Sequence, residues 1–208
     1  MNIFKRVFRR IRNEIRPLYP NISQTSYVDS SVKVYNRNNL IMAENTNIDA
    51  GGLIMNVLAK VIIKKNSGAA VGLMAITGNH MSVVGLNAKQ ITRAAKIKMD
   101  VNHEMDKDII VDEDVWIAAR VTLLSGAHLG RGCEVGSGSV VRGSIPPYAV
   151  VLGNPCKIVG FRFTPEEIIE HEKVQYEESE RLSLDFLRKN YEKYFINRIK
   201  DIKQFTKL

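Results

Sequence analysis

Aliphatic side chains recur at every sixth position in the second half of the chain. One series consists of Val111, Ile117, Leu123, Leu129, Val135 and Val141. A second series, four positions after the first, is small or β-branched: Val115, Val121, Ala127, Cys133, Ser139 and Ile145. A period of six fits neither an α-helix nor a simple amphipathic strand, so it predicts a solenoid in which three hexads form a coil of about 18 residues.

The positions between these aliphatic residues are rich in turn formers: Asp112, Glu113, Asp114, Gly126, Gly130, Gly132, Gly136 and Gly138. Such residues turn the chain between short strands, and several of them tolerate positive φ. Each buried aliphatic residue contributes roughly 1.5–3 kcal/mol, so the series forms a core only if coils stack on one another. The alternative is a small twisted sheet or sandwich of irregular strands.

The period is looser in residues 21–79. One phase there contains Val28, Val34 and Leu40, and a second contains Ile48 and Ile54. We predict a solenoid that begins near Tyr27 and has coils longer than about 18 residues in this part, with the register between residues 55 and 75 left open. Residues 81–107 break the period and predict a projecting loop.

The first 20 residues carry six basic side chains against the single acidic Glu14. Apolar residues recur among them at helical spacing: Phe4, Val7, Phe8, Ile11 and Ile15. This pattern predicts a basic amphipathic helix ended by Pro17. Such a helix caps the open end of the solenoid or lies on an anionic membrane surface.

The C-terminal part follows Pro146 and Pro147, which predict the end of the solenoid after Ile145. The run from Thr164 to Glu167 predicts a helix start with a capping residue, proline at the first position and glutamate at the third. A second helix is expected from Ser183. The predicted fold is mainly β, in three parts: a helical arm at 1–20, a solenoid at 21–160 with a loop insertion at 81–107, and a helical extension at 161–208.

Composition narrows the function classes. The chain has 208 residues, a formal net charge of +8 and two cysteines, which do not suggest a disulfide framework. No apolar run approaches the ~18 residues of a membrane span, and the N-terminus lacks a secretory pattern, so we expect a cytoplasmic protein. Much of the charge lies in the arm and no reader motif accompanies it, so we expect no nucleic-acid partner.

Histidine is the side chain best suited to proton transfer near neutral pH, and the chain has four. His171 lies among glutamates in a predicted helix, His128 in a turn position of a hexad, and His103 in the long loop. His80 differs, because it closes the run Gly78-Asn79-His80 where a coil gives way to that loop. A zinc site of three histidines would need a close pair on one coil, which this spacing lacks.

The hexads, the Gly78-Asn79-His80 run and the later Asp114-Val115-Trp116-Ile117 run resemble the hexapeptide-repeat O-acetyltransferases. The similarity extends to galactoside and maltose acetyltransferases and to xenobiotic (chloramphenicol and streptogramin) acetyltransferases, and it continues through Ile145–Val150 and Gly153–Val159. The resemblance implies a left-handed parallel β-helix, a homotrimer and acetyl-CoA as donor, with no metal. It also implies that Asn79 and His80 form the catalytic motif, with His80 as the general base.

The same resemblance implies a coenzyme A site built from Trp116, Ala119, Ser137, Arg142, Lys157 and Arg162. The family usually has a lysine at the position of Gly143 and often a basic residue at that of Gly160, so the phosphate contacts are expected to shift to Arg142 and Arg162. The expected acceptor is a sugar hydroxyl in surface polysaccharide biosynthesis, because the loop carries the cations Lys89, Arg93, Lys96 and Lys98. A xenobiotic acceptor and a non-catalytic scaffold are the alternatives.

Overall fold

A computed structural model describes residues 19–102 and 104–194. The strands in this part of the chain are β1 (Tyr27–Val28), β2 (Lys33–Val34), β3 (Leu40–Met42), β4 (Asn47–Ile48), β5 (Leu53–Met55), β6 (Val61–Ile63), β7 (Gly68–Ala69), β8 (Met74–Ile76), β9 (Ile109–Val111), β10 (Trp116–Ile117), β11 (Thr122–Leu124), β12 (His128–Leu129), β13 (Glu134–Val135), β14 (Val140–Val141), β15 (Ser144–Ile145), β16 (Ala149–Leu152) and β17 (Lys157–Phe161). The α-helices are α1 (Arg93–Met99), α2 (Pro165–Gln175) and α3 (Leu184–Tyr194). The predicted arm, at residues 1–20, falls almost entirely outside the described residues.

The strands form three sheets that follow one another around a left-handed parallel β-helix. Sheet 1 has the order β1-β4-β7-β10-β13-β16-β17, sheet 2 the order β14-β11-β8-β5-β2, and sheet 3 the order β15-β12-β9-β6-β3. We call the turns from sheet 1 to sheet 2 the first corner, those from sheet 2 to sheet 3 the second corner, and those from sheet 3 back to sheet 1 the third corner. The predicted fold class is confirmed.

The two aliphatic series fill the interior of the solenoid. All six residues of the first series are at most 1% exposed, and those of the second are at most 8% exposed. Parallel pairing places each residue beside its counterpart in the next coil, for example Leu123 beside Val141. The inner column is therefore continuous, and the alternative of an irregular sandwich is wrong.

Coil length differs between the two halves of the solenoid. Trp116 pairs with Glu134, 18 residues further on, whereas Asn47 pairs with Gly68, 21 residues further on. The extra residues of the longer coils widen the second corner, because the paired positions Ile54 and Ile63 are nine residues apart, whereas Leu123 and Leu129 are six apart. At the second corner, the fully buried Asn56 accepts a hydrogen bond from the Asn36 N–H (3.0 Å) and donates one to the Asn36 carbonyl (2.8 Å).

The long loop leaves the solenoid at the second corner, between β8 and β9. It contains the helix α1, which the sequence pattern did not predict, and an isolated antiparallel bridge between Gly78 and Asp106 closes its base. Thr92 caps this helix by accepting a hydrogen bond from the Ala95 N–H at 3.2 Å. The loop is thus a built element of the structure.

The predicted end of the solenoid at Pro146 and Pro147 is wrong by one strand. The two prolines lie in a third-corner turn, and β16 then pairs in parallel with β13. Proline lacks only a backbone donor, and a turn position does not use that donor in a ladder. The last coil closes when β17 returns antiparallel to β16.

The C-terminal helices begin where the sequence predicts. Thr164 and Glu167 form a reciprocal capping box at the start of α2, with Pro165 at the first position. Ser183 precedes α3, and its hydroxyl accepts a hydrogen bond from the Phe186 N–H at 3.3 Å. Both helices lie beside the third corner, where Tyr148 contacts a residue of α2.

Candidate active site

His80 lies at the second corner, where the long loop leaves the solenoid. Its side chain is exposed, and its Nδ1 is 2.8 Å from the backbone carbonyl oxygen of Met81. A carbonyl oxygen only accepts, so this contact requires a proton on Nδ1 and leaves the lone pair of the neutral imidazole on Nε2. The arrangement is that of an imidazole oriented to take a proton at Nε2.

The backbone around His80 is held by the opposite arm of the loop. The Asn79 N–H donates to the Met105 carbonyl at 2.8 Å, and the Lys107 N–H donates to the Thr77 carbonyl at 3.1 Å. Asp100 accepts hydrogen bonds from the N–H groups of Glu104 (2.7 Å) and Met105 (2.9 Å). These contacts fix the position of the residue before His80.

A cavity of about 360 Å³ lies between the loop and the widened second corner. Its wall is formed by apolar side chains of the coils and loop together with the polar residues around His80. The lining residues include Met55, Leu58, Asn79, His80, Ile91, Arg93, Lys96 and Asp106. The size and the mixed lining, with a histidine on the wall, are typical of a small-molecule site.

Trp116 is on sheet 1 and not beside His80. Its side chain is 50% exposed on the outer face of β10, between Gly68 of β7 and Glu134 of β13. A Cβ at Gly68 would lie 3.4 Å from Trp116 Cζ3 and 2.4 Å from Asn47 Oδ1, so glycine is required for the close approach of these side chains. Within one chain, Trp116 and His80 therefore lie on different sides of the solenoid.

Three of the predicted coenzyme A residues stack along the first corner. Ala119 and Ser137 occupy successive turns, which are joined by a hydrogen bond from the Gly138 N–H to the Ala119 carbonyl at 3.0 Å. Lys157 starts β17 opposite Leu152, at the end of the same stack, and is exposed. The small residues Ala119 and Ser137 and the exposed cation of Lys157 form a track along this corner, which is suited to an extended, phosphorylated ligand.

The two remaining predicted cofactor residues lie elsewhere. Arg142 is exposed at the second corner, directly after β14. Arg162 is at the third corner, where its Nη1 donates to Asp114 Oδ2 (2.9 Å) and the Gly132 carbonyl (3.0 Å), and its Nε lies 3.3 Å from Glu134 Oε1. The Arg162 guanidinium is engaged by these groups, so the expectation that it contacts phosphate is not supported.

The other described histidines and the cysteines have structural environments. His128 lies on β12, not in a turn, and its Nε2 is 2.9 Å from Asp112 Oδ2. His171 packs edge-on against the ring of Tyr148, and His103 lies outside the described residues. Burial raises the pKa of the Cys133 and Cys156 thiols, which disfavours a cysteine nucleophile.

Neither a metal-binding cluster nor a membrane-spanning helix occurs among the described residues. Among residues 19–102 and 104–194, no group of three or more histidine, cysteine, aspartate or glutamate side chains is arranged to hold a metal ion. None of the described helices is long and apolar enough to cross a membrane.

The sequence pattern missed most of the cavity wall. Met55 and Leu58 lie where the register could not be read, because the extra residues of the long coils are at this corner. Ile91 stands alone in a polar stretch, yet it is only 9% exposed and anchors the loop. The one signal that pointed to these residues was the loss of the six-residue period beside a histidine.

The repeat itself matches a known family. The bacterial transferase hexapeptide family (six repeats) matches residues 108–143. The coils in this segment resemble bacterial transferase hexapeptide repeats. The match covers the regular coils from β9 to β14, where the aliphatic column is most regular.

Proteins with similar sequences include acetyltransferases. A chloramphenicol acetyltransferase of Klebsiella aerogenes is 42% identical over 59 residues, which is 28% of this chain and 28% of that protein. The chain spans about a quarter of the length of the curated relatives that it matches. The similarity is therefore local and centres on the repeats.

Solved structures share the fold over more of the chain. The maltose O-acetyltransferase of Clostridium difficile 630 has a TM-score of 0.57 and 23% identity, covering 72% of this chain and 73% of that chain. A hexapeptide-repeat acetyltransferase of Vibrio cholerae O1 biovar eltor, in complex with acetyl coenzyme A, has a TM-score of 0.56 and 20% identity, covering 70% and 73%. At these identities the likeness establishes the fold.

Proposed function

We propose that this protein is an acetyl-CoA-dependent O-acetyltransferase in which His80 is the general base. The observation that carries the proposal is the Nδ1 contact of His80 with the Met81 carbonyl, which leaves Nε2 as the proton acceptor beside a ligand-sized cavity. The fold is shared with a maltose O-acetyltransferase and with an acetyltransferase that was solved with acetyl coenzyme A.

The reaction needs one proton transfer and no covalent enzyme intermediate. His80 Nε2 removes the proton of the acceptor hydroxyl as its oxygen attacks the acetyl carbonyl, and the imidazolium then returns that proton to the departing sulfur of coenzyme A. The thioester supplies an activated acyl group, so a positioned base, worth about 10²–10⁴ in rate, provides much of the catalysis. Asn79, held through its N–H, positions the backbone next to the base.

The first corner is the proposed coenzyme A track. Ala119 and Ser137 leave room for the pantetheine arm along exposed backbone, and Lys157 receives the phosphates at the end of the stack. Trp116 forms a wall of the site, whereas Arg142, at the second corner, lies off this track within one chain.

Replacing Lys157 with alanine is expected to raise the KM for acetyl-CoA by about 10-fold with kcat changed less than 2-fold, because a charge-assisted contact is lost. The measurement is steady-state thiol release. Lys189→Ala is the control, since Lys189 is on α3 and pairs with Asp185 at 2.7 Å. Equal KM values for the two variants would remove Lys157 from the track.

The complete site is proposed to form between neighbouring copies of the chain in a homotrimer. This follows from the placement of His80 at the second corner and Trp116 on sheet 1, which no single chain brings together. Light scattering at assay concentration is expected to give three times the mass of one chain. The mass of a single chain in active protein would contradict the proposal.

The proposed acceptor is a sugar hydroxyl, as in surface polysaccharide or glycan biosynthesis. A xenobiotic acceptor is the second candidate, because the cavity has an apolar wall and the repeats are similar to those of a chloramphenicol acetyltransferase. Free-thiol release from acetyl-CoA over a panel of sugars, sugar nucleotides and chloramphenicol separates the two. No release, together with no coenzyme A binding by calorimetry, would leave a non-catalytic scaffold.

A further inference from the structure

The basic residues of the long loop do not all face the cavity. Of the five cations in its sequence, Arg93 and Lys96 line the cavity, whereas Lys89, Lys98 and Lys107 do not. The Lys96 ammonium is 2.5 Å from Asp106 Oδ2, and both side chains are at least 86% buried. This ion pair compensates the charge of Lys96 within the wall, so it adds little net positive potential to the cavity.

Arg93 is the cation on this wall without such a partner. In the part of the chain that the structure describes, no carboxylate lies within ion-pair distance of its guanidinium. Its backbone is fixed by the adjacent cap residue Thr92 and by Ile91, which is 9% exposed and lines the same cavity. Arg93 itself is exposed, and an uncompensated guanidinium beside an apolar wall is suited to bidentate contact with a carboxylate or phosphate.

Another part of the cavity wall is apolar. Met55 and Leu58 come from the widened second corner and face the cavity together with Ile91. Leu58 is 43% exposed, an arrangement that a ligand with an apolar group would improve by covering the side chain. A fully polar sugar would leave this surface without a complementary group.

We propose that the acceptor is an amphiphilic anion: its hydroxyl lies against His80, its apolar group against Leu58 and Ile91, and its carboxylate or phosphate on Arg93. The inference rests on the proposed acetyl transfer and specifies its substrate class. It separates this site from one for a neutral sugar and from one for an uncharged apolar drug.

The test compares 4-nitrophenyl glucuronide with two probes that each lack one of its groups and with a third that carries phosphate. 4-Nitrophenyl glucuronide carries hydroxyls, an aryl group and a carboxylate; 4-nitrophenyl glucoside lacks the carboxylate; methyl glucuronide lacks the aryl group; and 4-nitrophenyl phosphate carries phosphate without a sugar. Calorimetry gives the Kd of each for the full-length protein, and thiol release from acetyl-CoA gives kcat/KM for the two aryl glycosides and methyl glucuronide. The binding measurement does not depend on turnover.

The native protein is expected to bind the aryl glucuronide about 10- to 100-fold more tightly than the aryl glucoside, the range of a charge-assisted hydrogen bond. Arg93→Gln is expected to reduce that ratio to about 1 without changing the Kd for the glucoside, and Lys98→Gln to leave it unchanged. Leu58→Ser is expected to weaken binding of the aryl glucuronide but not of methyl glucuronide, by about 5-fold for lost apolar burial. Val84→Ser, at an exposed loop position away from the cavity, is its control.

Equal affinity for glucuronide and glucoside, or an equal loss for both in Arg93→Gln, would overturn the inference. Tight binding of 4-nitrophenyl phosphate that Arg93→Gln abolishes would support it and favour phosphate as the anion. Coenzyme A binding and acetyl transfer to neutral sugars alone would overturn this substrate class and leave the proposed function intact. Charge-selective binding through Arg93 without coenzyme A binding would have the reverse meaning: the anion site stands and the transferase proposal fails.

Discussion

Replacing His80 with alanine is expected to lower kcat for acetyl transfer by about 10²–10⁴-fold, because the proton of the acceptor hydroxyl then has no positioned base. The Kd for coenzyme A is expected to change less than 2-fold, since the proposed track lies at the first corner and His80 at the second. Steady-state thiol release measures the first quantity, and calorimetry measures the second.

His128→Ala is the matched control for this loss. His128 is on sheet 3, where its Nε2 contacts Asp112, and it does not line the cavity. Its replacement removes a partly exposed contact with Asp112 and is expected to leave kcat within 2-fold. A His80→Ala protein with native kcat would refute the role of general base, and an equal loss in both variants would point to disturbed folding instead.

The hexads predicted the solenoid because they report directly on packing. Each residue of the series from Val111 to Val141 is buried against its counterpart one coil away, so a period in the sequence becomes a column in the structure. The same reasoning failed at Pro146 and Pro147. A strand-breaking residue ends a solenoid only when it falls within a strand, and the spacing alone did not place these prolines in a turn.

The cavity could not be predicted from the pattern, because it arises where the pattern is interrupted. Three extra residues between the paired positions Ile54 and Ile63 widen the corner that contains Leu58, and the base of the loop is closed by the Gly78–Asp106 bridge. Neither the extra residues nor the loop repeats along the chain, so a periodic pattern does not reveal them. His80 was identified because a Gly-Asn-His run at the end of a coil resembles a family motif, whereas its partner groups in the loop carry no such signature.

The charges of the site were also predicted only in part from the sequence. The sequence drew attention to four basic residues in the loop, but the structure pairs Lys96 with Asp106 and places Lys89 and Lys98 away from the cavity. Arg162, expected to contact phosphate, is held by Asp114 and Glu134 instead. Net charge in a segment therefore overestimated the number of cations available to a ligand, because it does not show which are compensated.

The contact between the C-terminal helices and the solenoid depends on Glu172, which is fully buried on α2. Its Oε1 accepts hydrogen bonds from the Tyr148 hydroxyl at 3.0 Å and from Arg131 Nη1 at 3.3 Å, and its Oε2 accepts one from the Leu182 N–H at 2.5 Å. Burial and the Glu172 carboxylate raise the pKa of Tyr148, so its hydroxyl stays protonated and continues to donate. One carboxylate thus satisfies donors from the third corner and from the segment before α3.

Glu172→Ala is expected to destabilise the docked helices by about 2–5 kcal/mol, because it leaves the Tyr148 hydroxyl and the Leu182 N–H without their buried acceptor, while Arg131 keeps its contact with Glu113. Hydrogen exchange of the α2 amides measures this opening free energy, and urea unfolding followed by Trp116 fluorescence reports on the solenoid separately. Glu172→Gln, which keeps an acceptor but loses the charge, is expected to cost about 1–3 kcal/mol. Glu170→Ala, on the exposed face of the same helix, should stay within about 0.5 kcal/mol; a loss as small for Glu172→Ala would show that this network does not hold the helices on the solenoid.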